Sequence, residues 1–201
     1  MTAPAAAGSL REHQRAATRS FIRKAARACF LREGAGNVSM EMVAAEAGIR
    51  RATLYLYYPG KNALLLDLLD RGLRATDRIY ERLRDLPEVD FGTVRAWLAG
   101  YLDEVMQHSA TVDLFRSEIL PSDELHAIVG DHISRTIALL GARFGGFDLS
   151  RPDRARRAIR AELAIREVES FCSEARRADY PLDRDLALDI VAERLLAMLE
   201  E

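Results

Sequence analysis

IRKAARACFLREGAGNVSMEMVAAEAGIRRATLYLYYPGKNALL, residues 22–65, decides the fold. Its first part continues a helix that opens at Ser9-Leu10-Arg11-Glu12, a capping box in which Ser9 accepts from an early amide and Glu12 reaches back. Phe21, Ile22, Ala25, Ala26, Cys29 and Phe30 recur at steps of one and four, drawing one apolar face along a helix to about Arg32. Glu33-Gly34-Ala35-Gly36 ends it, because glycine takes the left-handed conformation of a helix C-terminus without strain. Ser39 then caps a short helix to about Ala47, with Met42, Val43 and Ala47 facing inward. Gly48 makes a tight turn, a second short helix runs from about Arg50 to Tyr57, and Pro59-Gly60 stops it. A long helix followed by two short ones around a glycine turn has the layout of a helix-turn-helix.

Beyond this stretch the same helical period continues. Lys61 opens a long helix to about Arg84, closed by Leu86-Pro87, and further helices cover about Phe91–His108 and Thr111–Ile119 before Pro121. Ser122 caps the next, to about Phe144, and Gly145-Gly146 breaks it. Ser150, Pro152 and Asp153 start a long helix to about Arg177, and after Tyr180-Pro181 the last runs from Asp183 to Glu200. No segment alternates with period two, so the expected fold is all-α with about nine helices, without repeats or low-complexity tracts.

Composition agrees. The 201 residues are 49% hydrophobic, enough for a sizeable core, with few Gly and Pro. The net charge of -2 hides an asymmetry, because residues 1–61 hold ten Lys/Arg against four acids and carry +6, leaving -8 on the rest. A basic head on an acidic body suits a segment that grips a polyanion, attached to one that does not. The two cysteines, Cys29 and Cys172, form neither a disulfide framework nor a C-x-x-C metal motif. The N-terminus lacks a basic n-region and an apolar h-region, and no run approaches the length of a membrane span. The expectation is a cytoplasmic protein with no membrane contact.

Residues 22–65 resemble the DNA-binding domain of the TetR family. Ile22, Ala25, Ala26 and Phe30 stand at the apolar, paired-alanine and aromatic positions of its first helix, and Gly34 follows. Ser39, Val43-Ala44 and Ala47-Gly48-Ile49 match the second helix and turn. Ala52-Thr53-Leu54-Tyr55 and Tyr57-Tyr58-Pro59-Gly60-Lys61 match the signature that follows. The resemblance implies a three-helix DNA-binding domain over residues 1–60, with the helix-turn-helix at about 39–57. An effector-binding and dimerisation domain is expected over 61–201. Three positions depart from the pattern. Arg50 stands where a capping Ser is common, Ala52 where Gly is common, and Leu56 where Tyr is frequent.

The spacing assigns roles. Leu54 and Tyr58, four apart, face the core, leaving Arg51, Thr53 and Tyr57 toward the groove. Arg51 has the reach to pair bidentately with guanine, worth about 1–3 kcal/mol of discrimination. Tyr57 and Lys61 suit phosphates, and Ser39 serves as cap and phosphate contact together. The candidate DNA-binding set is therefore Ser39, Arg50, Arg51, Ala52, Thr53, Tyr55, Tyr57 and Lys61. The partner is double-stranded operator DNA, read as a palindrome by two recognition helices about 34 Å apart in a homodimer.

By the same resemblance, the last two helices pair with their copies as a four-helix bundle. Leu188, Val191, Leu195, Met198 and Leu199 form one stripe of the final helix, widened by Leu186 and Ile190. Ile159, Leu163, Val168, Phe171, Cys172 and Ala175 do likewise on the helix before. So much apolar surface calls for partners on two sides. The family places a pocket for a small-molecule effector among the preceding helices, and the candidates here are Trp97, Tyr101, Val105, His108, Phe115 and Phe171. Plain core is the alternative reading for each. Glu162, Arg166 and Glu169 form either a buried polar feature or exposed pairs. His126 and His132 lie on different helix faces, so no metal or other cofactor is expected.

These readings together describe a regulator, expected to be a repressor that an effector releases from its operator. The rivals are a helical enzyme, for which no catalytic motif and so no catalytic residue is found, and an architectural protein that binds DNA nonspecifically.

Overall fold

The structure is a computed structural model that describes residues 5–34, 36–107 and 122–201, with side chains from residue 12 onward. The described residues hold eight α-helices and no strand. They are α1 (Ala5–Glu33), α2 (Met40–Glu46), α3 (Arg51–Tyr55), α4 (Lys61–Arg84), α5 (Phe91–Gln107), α6 (Asp123–Gly141), α7 (Arg154–Ala175) and α8 (Arg184–Leu199). A short 3-10 turn, Gly145–Phe147, separates α6 from α7. The expected helix at 111–119 lies outside the described residues.

The helix ends follow local chemistry. Ser39 and Ser122 accept from Met42 N and Leu125 N at 3.2 and 3.1 Å, and Asp183 accepts from Leu186 N at 3.0 Å. Each side chain satisfies an amide that the first turn leaves without a partner. Asp90 and Thr93 bond reciprocally ahead of α5, an exchange the sequence reading did not identify. Two expected starts are corrected. The first helix already runs from Ala5, so Ser9 lies inside it. The long helix α7 starts at Arg154 behind Asp153, which has φ +61° and makes no side-chain cap, while Ser150 bonds Asp148 instead. α6 ends at Gly141 rather than near Phe144, because the 3-10 turn folds back so closely that a Cβ at Gly141 would lie 2.6 Å from Phe147 O.

Two compact units form, and the division falls inside α4, between Leu69 and Asp70. The first is built on Ile22, Ala26, Cys29, Phe30, Val43, Leu54, Tyr58, Leu64 and Leu65, all fully or nearly fully buried. Phe21, expected on that face, is 62% exposed. It precedes Ile22 by one residue, about 100° around the helix, and that rotation takes it off the buried stripe. The second unit packs α5 against α7 and α8, and α6 against α7. Its centre holds Tyr80, Leu83, Leu98, Leu140, Phe147 and Ile165.

The apolar positions of α7 and α8 divide between two faces. Val168, Phe171, Cys172, Ala175, Leu188, Val191, Leu195, Met198 and Leu199 are buried within the chain. Ile159, Leu163, Leu186 and Ile190 stand 47–61% exposed, and Leu182 between the two helices is exposed as well. No helix of the described residues is long and apolar enough to cross a membrane.

Candidate functional site

α2 and α3 form the helix-turn-helix. Ala47 and Gly48 turn the chain, with Gly48 at φ +63°, a conformation that costs glycine little and most other residues more. Nothing lies within 4 Å of a Cβ built there, so the requirement is conformational and not steric. α3 is shorter than the expected 50–57: Arg50 is its N-cap, with extended backbone and no side-chain cap bond, and Leu56 closes it. The loss of the capping serine is thus visible in the backbone.

The inner side of α3 is fixed firmly. Leu54 is fully buried and Tyr58 is 2% exposed. The Tyr58 hydroxyl donates to Asp67 of α4, and Asp67 also meets Arg23 of α1 at 3.4 Å and Arg19 at 3.8 Å. The Arg19 guanidinium lies over the Tyr58 ring, 5.3 Å from its centre. Burial, and then the Asp67 carboxylate, push the Tyr58 phenol up, so it remains a donor at neutral pH. One hydrogen-bonded chain therefore joins the end of the recognition helix to the helices on both sides of it. The sequence reading placed Tyr58 in the core and missed its partners. Their separation in sequence gives no local signal.

The outer side carries the predicted residues. Ser39, Arg50, Arg51, Ala52 and Tyr55 are exposed, and Thr53, Tyr57 and Lys61 are half-buried. Leu56 is 76% exposed and was not assigned a role. Arg51 is not idle: its guanidinium pairs with Glu41 of α2 and lies over the Tyr55 ring at 5.4 Å, with Nη2 3.4 Å from the Tyr55 hydroxyl. The α2 first-turn amide at Glu41, then the Ser39 hydroxyl and Arg51, hold the Glu41 carboxyl below the usual range. An acid thus stands on the face expected to meet phosphates. Arg15 of α1 lies 6.0 Å from the centre of the Tyr57 ring, adding a cation that the sequence reading did not assign.

In the second unit, Trp97 and Tyr101 meet at 5.7 Å and both face Tyr80, at 5.6 and 5.8 Å. The Trp97 indole N–H donates to Ile79 O at 2.8 Å. Trp97 and Tyr101 are buried core, Val105 is partly buried against the same core, and Phe171 meets Tyr180 edge to face at 6.5 Å. His108 and Phe115 lie outside the described residues. The structure therefore brings two of the six effector candidates into direct contact.

A polar cluster adjoins these aromatics. His132 of α6 is fully buried, with Nε2 2.7 Å from Glu169 of α7 and Nδ1 3.6 Å from Asp77 of α4. Tyr80 donates to the same Glu169 at 3.4 Å, and Arg135 reaches Asp77 at 3.4 Å. His132 Nδ1, Asp77 Oδ1 and Arg135 Nη2 have no hydrogen-bond partner among the described residues. Burial, and then Glu169, push the Tyr80 and Tyr101 phenols well up. Glu169 was grouped in sequence with Arg166. Instead Arg166 pairs with Glu162 at 2.8 Å on the surface, and Glu169 turns inward. Burial, and then Glu169, push the Cys172 thiol well up, away from the reactive thiolate, and no group of three metal-ligating side chains occurs among the described residues.

Residues 22–68 match the sequence profile of a family described as bacterial regulatory proteins, tetR family. Over 64 residues the chain is 38% identical to the HTH-type transcriptional regulator EthR of Mycobacterium tuberculosis. That stretch covers 32% of this chain, which thereby spans only 29% of the relative's length. Two solved structures extend the likeness to the whole fold. One, a SmeT–triclosan complex, has a TM-score of 0.61 at 23% identity, covering 88% of this chain and 90% of that one. The other is NalD, the secondary repressor of the MexAB-OprM multidrug efflux pump in Pseudomonas aeruginosa. It has a TM-score of 0.58 at 17% identity, covering 92% of this chain and 97% of that one. The fold is the all-α, two-part TetR-like architecture.

Proposed function

We propose that the chain, whose residues 22–68 match the tetR family of bacterial regulatory proteins, is a member of that family and a sequence-specific, cytoplasmic DNA-binding transcriptional regulator. In this reading it is a repressor released from a palindromic operator by a small-molecule effector, and it acts by binding and not by catalysis. The observation that carries the reading is the two-sided recognition helix. Leu54 and Tyr58 are buried and tied down on one side, while Arg51, Ala52 and Tyr55 stand exposed on the other. A short helix held this rigidly presents side chains to a major groove in one register.

Arg51 reads base edges after exchanging Glu41 for guanine. Ser39, Tyr57 and Lys61 fix register on phosphates, joined by Arg50 at the uncapped start of α3. Thr53 and Ala52 approach the groove wall. The domain boundary is proposed near the start of α4. Homodimerisation is proposed through α7 and α8, using the exposed Ile159, Leu163, Leu186 and Ile190. Regulation by an apolar small molecule is supported by the SmeT–triclosan complex and by the aromatic group at Trp97 and Tyr101. The other effector candidates are proposed only as neighbours of that group.

Selection of DNA from a random pool tests the reading. Recovery of a palindrome that Arg51→Ala no longer distinguishes, and that Lys61→Ala binds more weakly whatever the sequence, is expected. Equal affinity for selected and random DNA would overturn it.

A further inference from the structure

Arg51 opens α3 with its guanidinium held from two sides. Nη1 pairs with Oε1 of Glu41 in the first turn of α2, and Nη2 lies 3.4 Å from the Tyr55 hydroxyl, one turn further along α3. The Tyr55 ring supports the same group at 5.4 Å. A guanidinium carries five N–H donors, so these two bonds leave three for another acceptor. Both charged side chains are open to solvent, 59% exposed for Arg51 and 50% for Glu41. Glu41 is therefore not a buried anchor of the fold, and it touches the residue proposed to read base edges.

Glu41 is also kept ionised. Its own backbone amide, then the Ser39 hydroxyl and Arg51, hold its carboxyl below the usual range. The first two of these remain when Arg51 turns away, so the group stays an acceptor with no proton to give. DNA offers such a group few partners. Phosphates repel it, and in the major groove guanine N7 and O6 and thymine O4 are acceptors as well. The only donors there are the exocyclic amines, cytosine N4 and adenine N6. Adenine sets an N7 acceptor beside its amine, against the second carboxylate oxygen, whereas cytosine presents the amine without one.

We infer that Glu41 is a second base-reading residue, accepting from the N4 amine of a cytosine in the base pair next to the guanine that Arg51 engages. This rests on the reading of α3 as the recognition helix. A guanidinium set bidentately on guanine fills the edge of its own base pair, which moves the carboxylate to the neighbouring one. The exchange then balances: the Arg51–Glu41 pair opens, and each member gains a base edge of complementary character. With guanine or thymine at the second position the freed carboxylate faces acceptors, so selection works by repulsion as well as by attraction. An electrostatic brake alone would instead weaken binding to every sequence alike.

Selection of DNA from a random pool with the full chain and its variants, followed by competition binding, tests the inference. The parent chain recovers half-sites with guanine and, in the adjoining pair, cytosine. Glu41→Gln keeps the guanine and shifts the second position to adenine, which an amide matches with one donor and one acceptor. Glu41→Ala loses the preference at that position and binds the parent operator about tenfold more weakly. It binds random DNA about threefold more tightly, because a charge that repels phosphates has gone. Those opposite signs distinguish a reader from a brake. A palindrome recovered unchanged by both variants overturns the inference, and so does equal tightening on operator and random DNA. Loss of the guanine preference alone overturns it too, since Glu41 would then only hold Arg51 in place. Recovery of no palindrome by the parent chain is the separate failure of the recognition-helix reading, and the inference falls with it.

Discussion

In the N-terminal unit the polar side chains proposed to act stand on the outside of two short helices, whereas in the C-terminal unit the most constrained polar groups lie inside. Arg51 is exposed and shares Glu41 and Tyr55 with solvent. His132 is sealed among α4, α6 and α7, with Glu169 on one nitrogen and Asp77 near the other. An exposed ion pair contributes little to stability and can be exchanged for a ligand at small cost. A buried one contributes uniqueness of packing and is costly to break. The first unit is therefore arranged so that function is separable from folding, and the second so that the two are coupled.

The difference can be broken at four points, taken from the largest expected effect downward. Leu54→Ala removes a fully buried side chain from behind the recognition helix and is expected to cost about 2–5 kcal/mol in denaturant unfolding. DNA binding is then lost with the fold. His132→Ala takes the closer of two partners from Glu169, which keeps the bond from Tyr80, and a cost of about 1–3 kcal/mol is expected for the lost hydrogen bond alone, with cavity formation added. An unchanged unfolding midpoint would show that the cluster does not hold the second unit together. Arg51→Ala is expected to leave stability within about 0.5 kcal/mol, while operator discrimination measured by competition falls by about 1–3 kcal/mol. A stability loss as large as that of Leu54→Ala would erase the contrast.

The smallest effect is one of pH. Tyr80 and Tyr101 have phenols pushed well up by burial, so the folded chain keeps protons that the unfolded chain releases. Stability is then fully present below the ordinary tyrosine value of about 10 and falls as pH rises beyond it. Unfolding followed along an alkaline series should show this fall in the parent protein. It should be shallower in Tyr80→Phe/Tyr101→Phe, where the raised Tyr58 phenol and the raised Cys29 and Cys172 thiols remain to contribute.

The same contrast explains what was legible in the sequence. Ser39, Gly48, Leu54 and Tyr58 act over a few residues, so spacing alone placed the cap, the turn and the buried side of α3. The missing cap at Arg50 was legible from the resemblance, which marks a position where a capping Ser is common. Glu41 was not, because its contact with Arg51 crosses from one helix to the next and no periodicity encodes it. In the C-terminal unit, an aromatic at helical spacing reads alike whether it lines a pocket or fills a core. Trp97 and Tyr101 were identified as a pair, but Tyr80, which meets both rings, was read only as an apolar position. His132, Glu169 and Asp77 converge from three helices up to 92 positions apart in the chain, from Asp77 to Glu169. The close approach at Gly141 depends on the backward fold of a three-residue turn, which leaves no periodic trace.

Trp97, the chain's single tryptophan, is 8% exposed and fixed by its indole N–H between two tyrosine rings. Its emission therefore belongs to the C-terminal unit alone, and the N-terminal unit carries only the far weaker tyrosine signal. Fluorescence and far-ultraviolet circular dichroism recorded on one sample thus act as a built-in pair of probes. Coincident transitions would mean that the two units unfold as one cooperative body, and separated ones would time the loss of the recognition helix against the loss of the core.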